Sequence, residues 1–447
     1  MSGQFGGAVL IYVAGQAFNF LFQVLLLRLL GGEQYGPVGL AHLLLVTVIF
    51  LADLGYASLF LRDPPSSPGW AERWREAFGH RLLATLLLDL AIVAGWGLFD
   101  DLSGAGGLYL LGVLPATWLG LINYSAPLLA EGRRLQGLAL AQIAWPASCL
   151  LWLLTTHLPL APALEAALAV SGGFLLQATV QLAVMRQPRL LLPIWTLRSE
   201  LLRAAMHMSA TTVVGTLHDR LTPFLLAPLA PSFLPSYLLL GHLLAGLSGV
   251  CSQASRLLIT LPPEGAGATW TMRLASLVLL ATLAGVLLGG GLLAAWPVLP
   301  YEHWPLMIPA LLSWCFSSSG GFLAALMIAA RRERLLAQVV ISGLLASAAA
   351  QLAGYALESP DLLLWSRVFG TAAILAYSLR LMGMTTNRAG WLALLSAALV
   401  PLATPYGWYG LAALLPLVLA LPDLYRQRGS LFVRRPAAGS LETAGGT

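Results

Sequence analysis

An all-α polytopic membrane protein of about 14 transmembrane helices is the fold class this sequence predicts, on three observations. First, 58% of the 447 residues are hydrophobic and only 10% are charged, with a mean hydropathy of +0.80. Soluble domains carry roughly a quarter charged residues. Second, the apolar residues run in stretches of about 20, the length that crosses the hydrocarbon core as a helix. Third, all 24 basic residues are arginine, and nearly all of them lie in every second gap between those stretches. Arg and Lys flanking membrane spans are retained on the cytoplasmic side. The alternation therefore predicts a bacterial inner-membrane protein with both termini in the cytoplasm.

In chain order, spans are expected near 6–30, 38–60, 81–99, 107–130, 136–156 and 164–185. A second set falls near 205–230, 234–261, 273–296, 304–330, 335–357 and 361–382, and two shorter candidates at 391–405 and 407–424. The first stretch is span length without a basic leader, so it reads as a retained helix rather than a cleaved signal. Pro64, Pro65 and Pro68 end the second span, and Arg62, Arg73, Arg75 and Arg81 crowd the gap that follows. Trp70 to Glu76, with two tryptophans among charges, fits an interfacial helix lying on the membrane surface. The next gap, at Asp100 and Asp101, has no arginine, while Arg133 and Arg134 mark the one after it. Arg186, Arg189, Arg198 and Arg203, with Pro188, Pro193 and Trp195, read as a linker between two halves. The pattern continues through Arg273, the Arg331, Arg332 and Arg334 cluster, Arg388, and a tail with Arg426, Arg428, Arg434 and Arg435. The expected domains are a six-helix bundle at 1–190, a second at 191–385, two extra helices at 386–425, and a cytoplasmic tail at 426–447 without regular structure.

The twelve main spans repeat at an offset close to 200 residues. Leu40-Ala-His42-Leu-Leu answers to Leu240-Gly-His242-Leu-Leu, and Arg133-Arg134-Leu135 to Arg331 through Leu335. Copies separated by six spans have the same orientation, which makes two pseudo-symmetric bundles related by an axis along the membrane normal. Such bundles facing a central cavity predict a transporter; duplication without a cavity is the alternative.

The spans carry few hydrophilic side chains, and those few are ordered. Tyr12, Gln16, Asn19 and Gln23 recur at helical spacing and occupy one stripe about 60° wide. Ser209, Thr212, Thr216 and Asp219 do the same on the seventh span, and three of these answer to Tyr12, Gln16 and Asn19 through the repeat. Polar side chains within the bilayer face the bundle interior or a water-filled cavity; interhelical hydrogen bonding is the competing explanation. Tyr12, Gln16, Asn19, Gln23, Thr212, Thr216, Asp219 and Arg220 are the candidate lining of a substrate path. Asp219 is the first candidate for proton coupling and Asp89 the second, because burial favours the neutral form of a carboxylic acid. Arg220 beside Asp219 is an alternative partner that would make the pair structural. Arg28 and Arg367 lie near non-cytoplasmic ends, against the charge rule, and are candidate anion contacts; snorkelling toward headgroups accounts for them equally. Asp53 and Arg256 fall near cytoplasmic ends, where pairing with loop arginines explains them.

Several functions are excluded. Without lysine there is no Walker A motif, Schiff base or Ser–Lys dyad. Cys149, Cys251 and Cys315 fit neither a metal site nor a disulfide framework and are expected to pack as small apolar residues. No metal or cofactor is expected. The net charge of +5 reflects membrane topology, not nucleic-acid binding.

Four segments carry a family resemblance. They are Leu29-Leu-Gly-Gly-Glu-Gln-Tyr-Gly36, Ala52-Asp-Leu-Gly55 followed by Arg62, Gly132-Arg-Arg-Leu, and Asp219-Arg220. The chain resembles the polysaccharide-biosynthesis flippases of the multidrug/oligosaccharidyl-lipid/polysaccharide (MOP) exporter superfamily. That resemblance implies two six-helix lobes with two extra helices, and a non-enzymatic flippase or antiporter moving an undecaprenyl-pyrophosphate-linked oligosaccharide by alternating access for polysaccharide export. It also implies membrane lipids and a polysaccharide polymerase or export machinery as partners. The sequence has few arginines at cavity depth compared with the lipid II flippases. A multidrug or lipid exporter of the same superfamily is the alternative. An integral-membrane polysaccharide polymerase or ligase comes behind it, since the non-cytoplasmic loops are too short for a catalytic centre.

Overall fold

The computed structural model describes residues 2–62, 65–130, 139–140, 142–156, 158–196, 200–259, 262–263, 265–295, 299–386, 399–400, 403–404, 407–414, 418 and 432–434. The protein is an all-α multi-pass membrane protein. Its helices are α1 (Ser2–Ala52), α2 (Tyr56–Arg62), α3 (Trp70–Phe99), α4 (Ala105–Gly120), α5 (Ser125–Ala130), α6 (Ala144–Thr155) and α7 (Pro162–Met185). There follow α8 (Glu200–Leu229), α9 (Leu234–Ile259), α10 (Ala266–Ala295), α11 (Trp304–Ala329), α12 (Glu333–Ala356) and α13 (Pro360–Leu381). Nine stretches among the described residues are long and apolar enough to cross a membrane. Most of the two extra spans expected at 391–405 and 407–424, and the Arg133-Arg134 turn, lie outside the described residues.

The helices form two compact units, Met1–Gly246 and Leu247–Thr447. This division falls within α9, whereas the charge pattern and repeat place a bundle boundary near residue 190.

In the first unit, α1 is two helices. Gly31 has φ 70° and ψ 168°, a backbone region open essentially to glycine alone. The chain reverses there: the Phe22 and His42 rings lie 6.2 Å apart, although 20 residues of straight helix would separate them by roughly 30 Å. Tyr35 Oη donates to Gln23 Oε1 across the hairpin at 3.1 Å. The predicted first two spans are therefore its two arms.

Two local expectations change. Trp70–Glu76 is not a separate interfacial helix but the first turns of α3, because Trp70 and Trp74 are buried against Phe60 and Tyr124. The fourth predicted span is broken at 121–124, between α4 and α5. The freed Tyr124 N–H is satisfied by the Gln181 side chain from α7. The stretch read as a linker is anchored along α3: Arg75 Nε donates to Leu192 O at 2.7 Å, and Ile194 N to Arg75 O at 3.1 Å. Small residues bring α4 and α7 together, with the Ser171 hydroxyl donating to Gly112 O at 2.8 Å. Cys149 of α6 is buried and donates to Ala169 O of α7 at 3.3 Å.

In the second unit, α12 packs on α13 and α11 on both α10 and α13. A Cβ on Gly354 would lie 2.7 Å from the Leu363 backbone nitrogen, so α12 and α13 meet at backbone distance there. After α13, Met384–Thr386 pairs antiparallel with Phe432–Arg434, so part of the segment expected to lack regular structure forms a strand.

Candidate functional site: a polar interior in the first unit

The first polar stripe points inside the first unit. Gln16 Nε2 donates to Gln142 Oε1 at 3.5 Å, and the Gln16 Cβ lies 3.2 Å from where a Cβ on Gly246 would sit. Gln23 is fully buried and holds Tyr35. Asn19 and Tyr12 are half-buried. Two atoms of the stripe, Asn19 Oδ1 and Gln23 Nε2, are buried without a hydrogen-bond partner among the described residues.

The second stripe is placed only in part. The Ser209 and Thr212 side chains lie outside the described residues, and Thr216 and Arg220 are half-buried. Asp219 is 57% exposed and stands 4.0 Å from His218 Nδ1, whose ring is buried. Within this unit Asp219 is thus a surface group of its helix, unlike Asn19.

Two histidines matched by the repeat meet in space. His42, on the second arm of the hairpin, and His242, on α9, have ring centres 5.8 Å apart. His42 Nδ1 is hydrogen-bonded to Tyr109 Oη of α4 at 2.8 Å, and His42 Nε2 is buried without a partner among the described residues. Gln23, Tyr35, His42, Tyr109 and His242 thus bring together three elements, and Gln23 comes from the first expected stripe. Sequence reasoning noted the histidines as a repeat match but did not place them in the site; their shared register was the available signal.

The remaining candidates are dispersed. Asp89 of α3 is buried and accepts from Thr117 Oγ1 of α4 at 2.9 Å. Arg28 is exposed. Arg367 Nε donates to Ser313 Oγ at 3.1 Å, tying α13 to α11 within the second unit. The side chain of Arg256 lies outside the described residues.

The Ala52-Asp-Leu-Gly55 segment has a second role beyond ending a helix. Leu54 and Gly55 adopt φ 52° and 87°, a left-handed turn that starts α2. Asp53 Oδ2 accepts from Ala57 N at 3.0 Å, and Oδ1 forms an ion pair with Arg81 of α3. A cavity of about 250 Å³ opens beside this pair, lined also by Phe50, Asn123, Ser125 and Val213.

No family model and no curated protein matches the chain. Solved structures do match in fold. An inward-facing multidrug-resistance MATE-family transporter of the MOP superfamily matches with a TM-score of 0.63 at 11% identity, over 82% of this chain and 93% of the other. The lipid II flippase MurJ in an inward closed conformation gives 0.62 at 11% identity, over 94% and 99%. A MOP-superfamily transporter from Pyrococcus furiosus, described as having a binding pocket of reverse polarity, gives 0.60 at 13% identity, over 90% and 96%. The chain therefore has the MOP-transporter fold.

Proposed function

We propose that this protein is a flippase that moves a lipid-linked oligosaccharide, of undecaprenyl-pyrophosphate type, across the bacterial inner membrane by alternating access. One observation carries the reading most directly. Side chains from α1, α4 and α9 form a polar interior inside helices long and apolar enough to cross a membrane, and among the described residues Asn19 Oδ1, Gln23 Nε2 and His42 Nε2 are buried in it without a hydrogen-bond partner. Leaving such a group buried and unpaired costs about 1–3 kcal/mol. Three of them on one hairpin are accounted for by a hydrated or hydroxyl-rich occupant. Tyr12, Gln16, Asn19, Gln23, Thr212, Thr216 and Arg220 line its path, and Asp219 is the protonation switch, with Asp89 second.

The fold likeness supports the transporter class. The flippase match spans 94% of this chain against 82% for the MATE-family transporter, which favours the flippase layout. Drug export remains the second reading, supported by comparable TM-scores. Without lysine for a nucleotide-binding loop, the driving force is an ion gradient or the substrate's own gradient. Both termini face the cytoplasm, and a polysaccharide polymerase or export assembly receives the translocated glycan.

The test is reconstitution in proteoliposomes with a fluorescent undecaprenyl-pyrophosphate sugar. Protein-dependent loss of the label from the loaded leaflet is expected, while a lipophilic cationic drug is left in place. Drug movement without lipid movement would favour the exporter reading. In the same assay Asp219→Asn is expected to lower flipping at least tenfold without changing insertion or monodispersity; full activity would remove Asp219 as the switch.

A further inference from the structure

The cavity beside Asp53 and Arg81 is built from residues outside the proposed path, and its hydrogen-bonding inventory has a sign. The Arg81 guanidinium is almost sequestered, with 5% of its side chain exposed against 28% for Asp53. It lies over two aromatic rings, 5.3 Å from the Trp74 centre and 5.6 Å from that of Tyr56. Only Nη2 meets the carboxylate; Nε, on the same edge of the fork, is buried without a partner among the described residues.

Its neighbours are left in the same condition. Trp74 Nε1, Tyr124 Oη and Gln181 Nε2 are buried without hydrogen-bond partners among the described residues. They are contiguous with Arg81: Trp74 lies under the guanidinium and stacks on Tyr124 at 5.1 Å, and Gln181 holds the Tyr124 backbone. The acceptors nearby are already used. Asp53 engages Arg81 through one oxygen and Ala57 N through the other, and Asn123 Oδ1 accepts from both the N and Oγ of Ser125. Trp74, Tyr124 and Gln181 stand behind the cavity wall, and of these donors and Arg81 only Arg81 lines the cavity itself. A wall arginine with one nitrogen of its fork unused suits an acceptor-rich anion, because the guanidinium fork donates to two oxygens of a phosphate at once.

We propose that this cavity is a receptor for a phosphate-type oxyanion, bound by the Nε/Nη2 edge of Arg81, with Asp53 as the resident carboxylate that the anion displaces. Its location fits such a ligand, since Arg73 and Arg75 lie in the first turns of the same helix, α3, as Arg81. Two sources supply the chemistry: the headgroup of a membrane lipid or a soluble phosphate. The assignment does not depend on the transport reading and is tested by binding alone.

The experiment uses the full chain in neutral detergent, with inorganic pyrophosphate as probe and the ligand-induced rise in melting temperature as readout. Wild type is expected to show a saturable shift. Asp53→Asn keeps a side chain that can cap α2 and removes the competing charge, so affinity is expected to rise about tenfold. Arg81→Gln abolishes the shift. Because Arg81→Gln alone leaves Asp53 unpaired and can unfold the protein, the neutral pair Asp53→Asn/Arg81→Gln is measured beside it and is expected to fold and not bind. No saturable shift in wild type, unchanged or weaker binding in Asp53→Asn, or binding retained by the double variant each overturns the proposal; a purely structural ion pair predicts the first of these. Repeating the titration in nanodiscs identifies the source. Competition by phosphatidylglycerol, absent with phosphatidylcholine of the same chain length, assigns a lipid headgroup, and equal binding in both assigns a soluble phosphate.

Discussion

His42 illustrates how a hydrophilic side chain is held inside a membrane helix bundle. Its ring accepts or donates one hydrogen bond, to Tyr109, and its second nitrogen has none among the described residues. Removing the one bond leaves an imidazole with two unsatisfied atoms in a buried position, which costs about 1–3 kcal/mol. Tyr109→Phe is therefore expected to lower stability by that amount, read as the denaturant midpoint in detergent. An unchanged midpoint would mean that the hydroxyl contributes nothing to the interior. The legibility of such residues in the sequence was uneven. Gln16, Asn19 and Gln23 announce an inward face because their spacing matches the helical period. Tyr109 has no polar neighbour on its own span, so nothing local marks it as the partner of a histidine 67 positions away. The pairing of Asp53 with an arginine of the following gap was legible, but which arginine was not; the turn at Leu54 and Gly55 selects Arg81 of α3. Asp219 was legible as a buried charge by position along its span, yet rotation about the helix axis leaves it exposed while its neighbour His218 is buried.

At the level of elements, hydropathy located the apolar segments but not the breaks within them. The turn at Leu29–Gly36 was legible as the gap between the first two spans, and the contacts of Phe22 and Tyr35 across it place the reversal at Gly31. Residues 121–124 carry no charge and no proline, so a break between α4 and α5 has no hydropathy signal; the partner that makes it tolerable, Gln181, is on another helix. Conversely, the continuity of α3 through Trp70–Glu76 was hidden by its charges, which suggested a surface helix, whereas its tryptophans pack inward. Gly31 gives the sharpest test at this scale. A Cβ there would meet no atom within 4 Å, so any penalty comes from the backbone alone. With φ 70° and ψ 168°, Gly31→Ala is expected to cost about 1–3 kcal/mol, measured as a fall in unfolding midpoint with monodispersity preserved. An alanine variant as stable as wild type would mean that the two arms do not need that conformation to reverse.

For the whole molecule, the arginine alternation makes a prediction that neither hydropathy nor fold likeness can make, because neither distinguishes the two sides of a membrane. Acidic residues carry little topological information, so the argument rests on arginine alone. It places the turns at Ser66 and Arg332 in the cytoplasm and those at Ser103 and Leu357 outside, and all four residues are exposed in the structure. In a background with Cys149, Cys251 and Cys315 replaced, single cysteines at these positions are treated with a membrane-impermeant maleimide on cells whose outer membrane is permeabilised. Ser103→Cys and Leu357→Cys are expected to label in intact cells, and Ser66→Cys and Arg332→Cys only after lysis. The prediction is sensitive to span count as well as orientation. An even number of crossings separates Ser66 from Arg332, and α1 must contribute two of the crossings through its hairpin for Ser66 to share the side of the N-terminus. Labelling of Ser66→Cys in intact cells together with Ser103→Cys protection would invert the orientation. Labelling of both Ser103→Cys and Arg332→Cys would instead mean that an even rather than an odd number of crossings lies between them, and that the parallel repeat, on which the matching of His42 to His242 depends, has the wrong period.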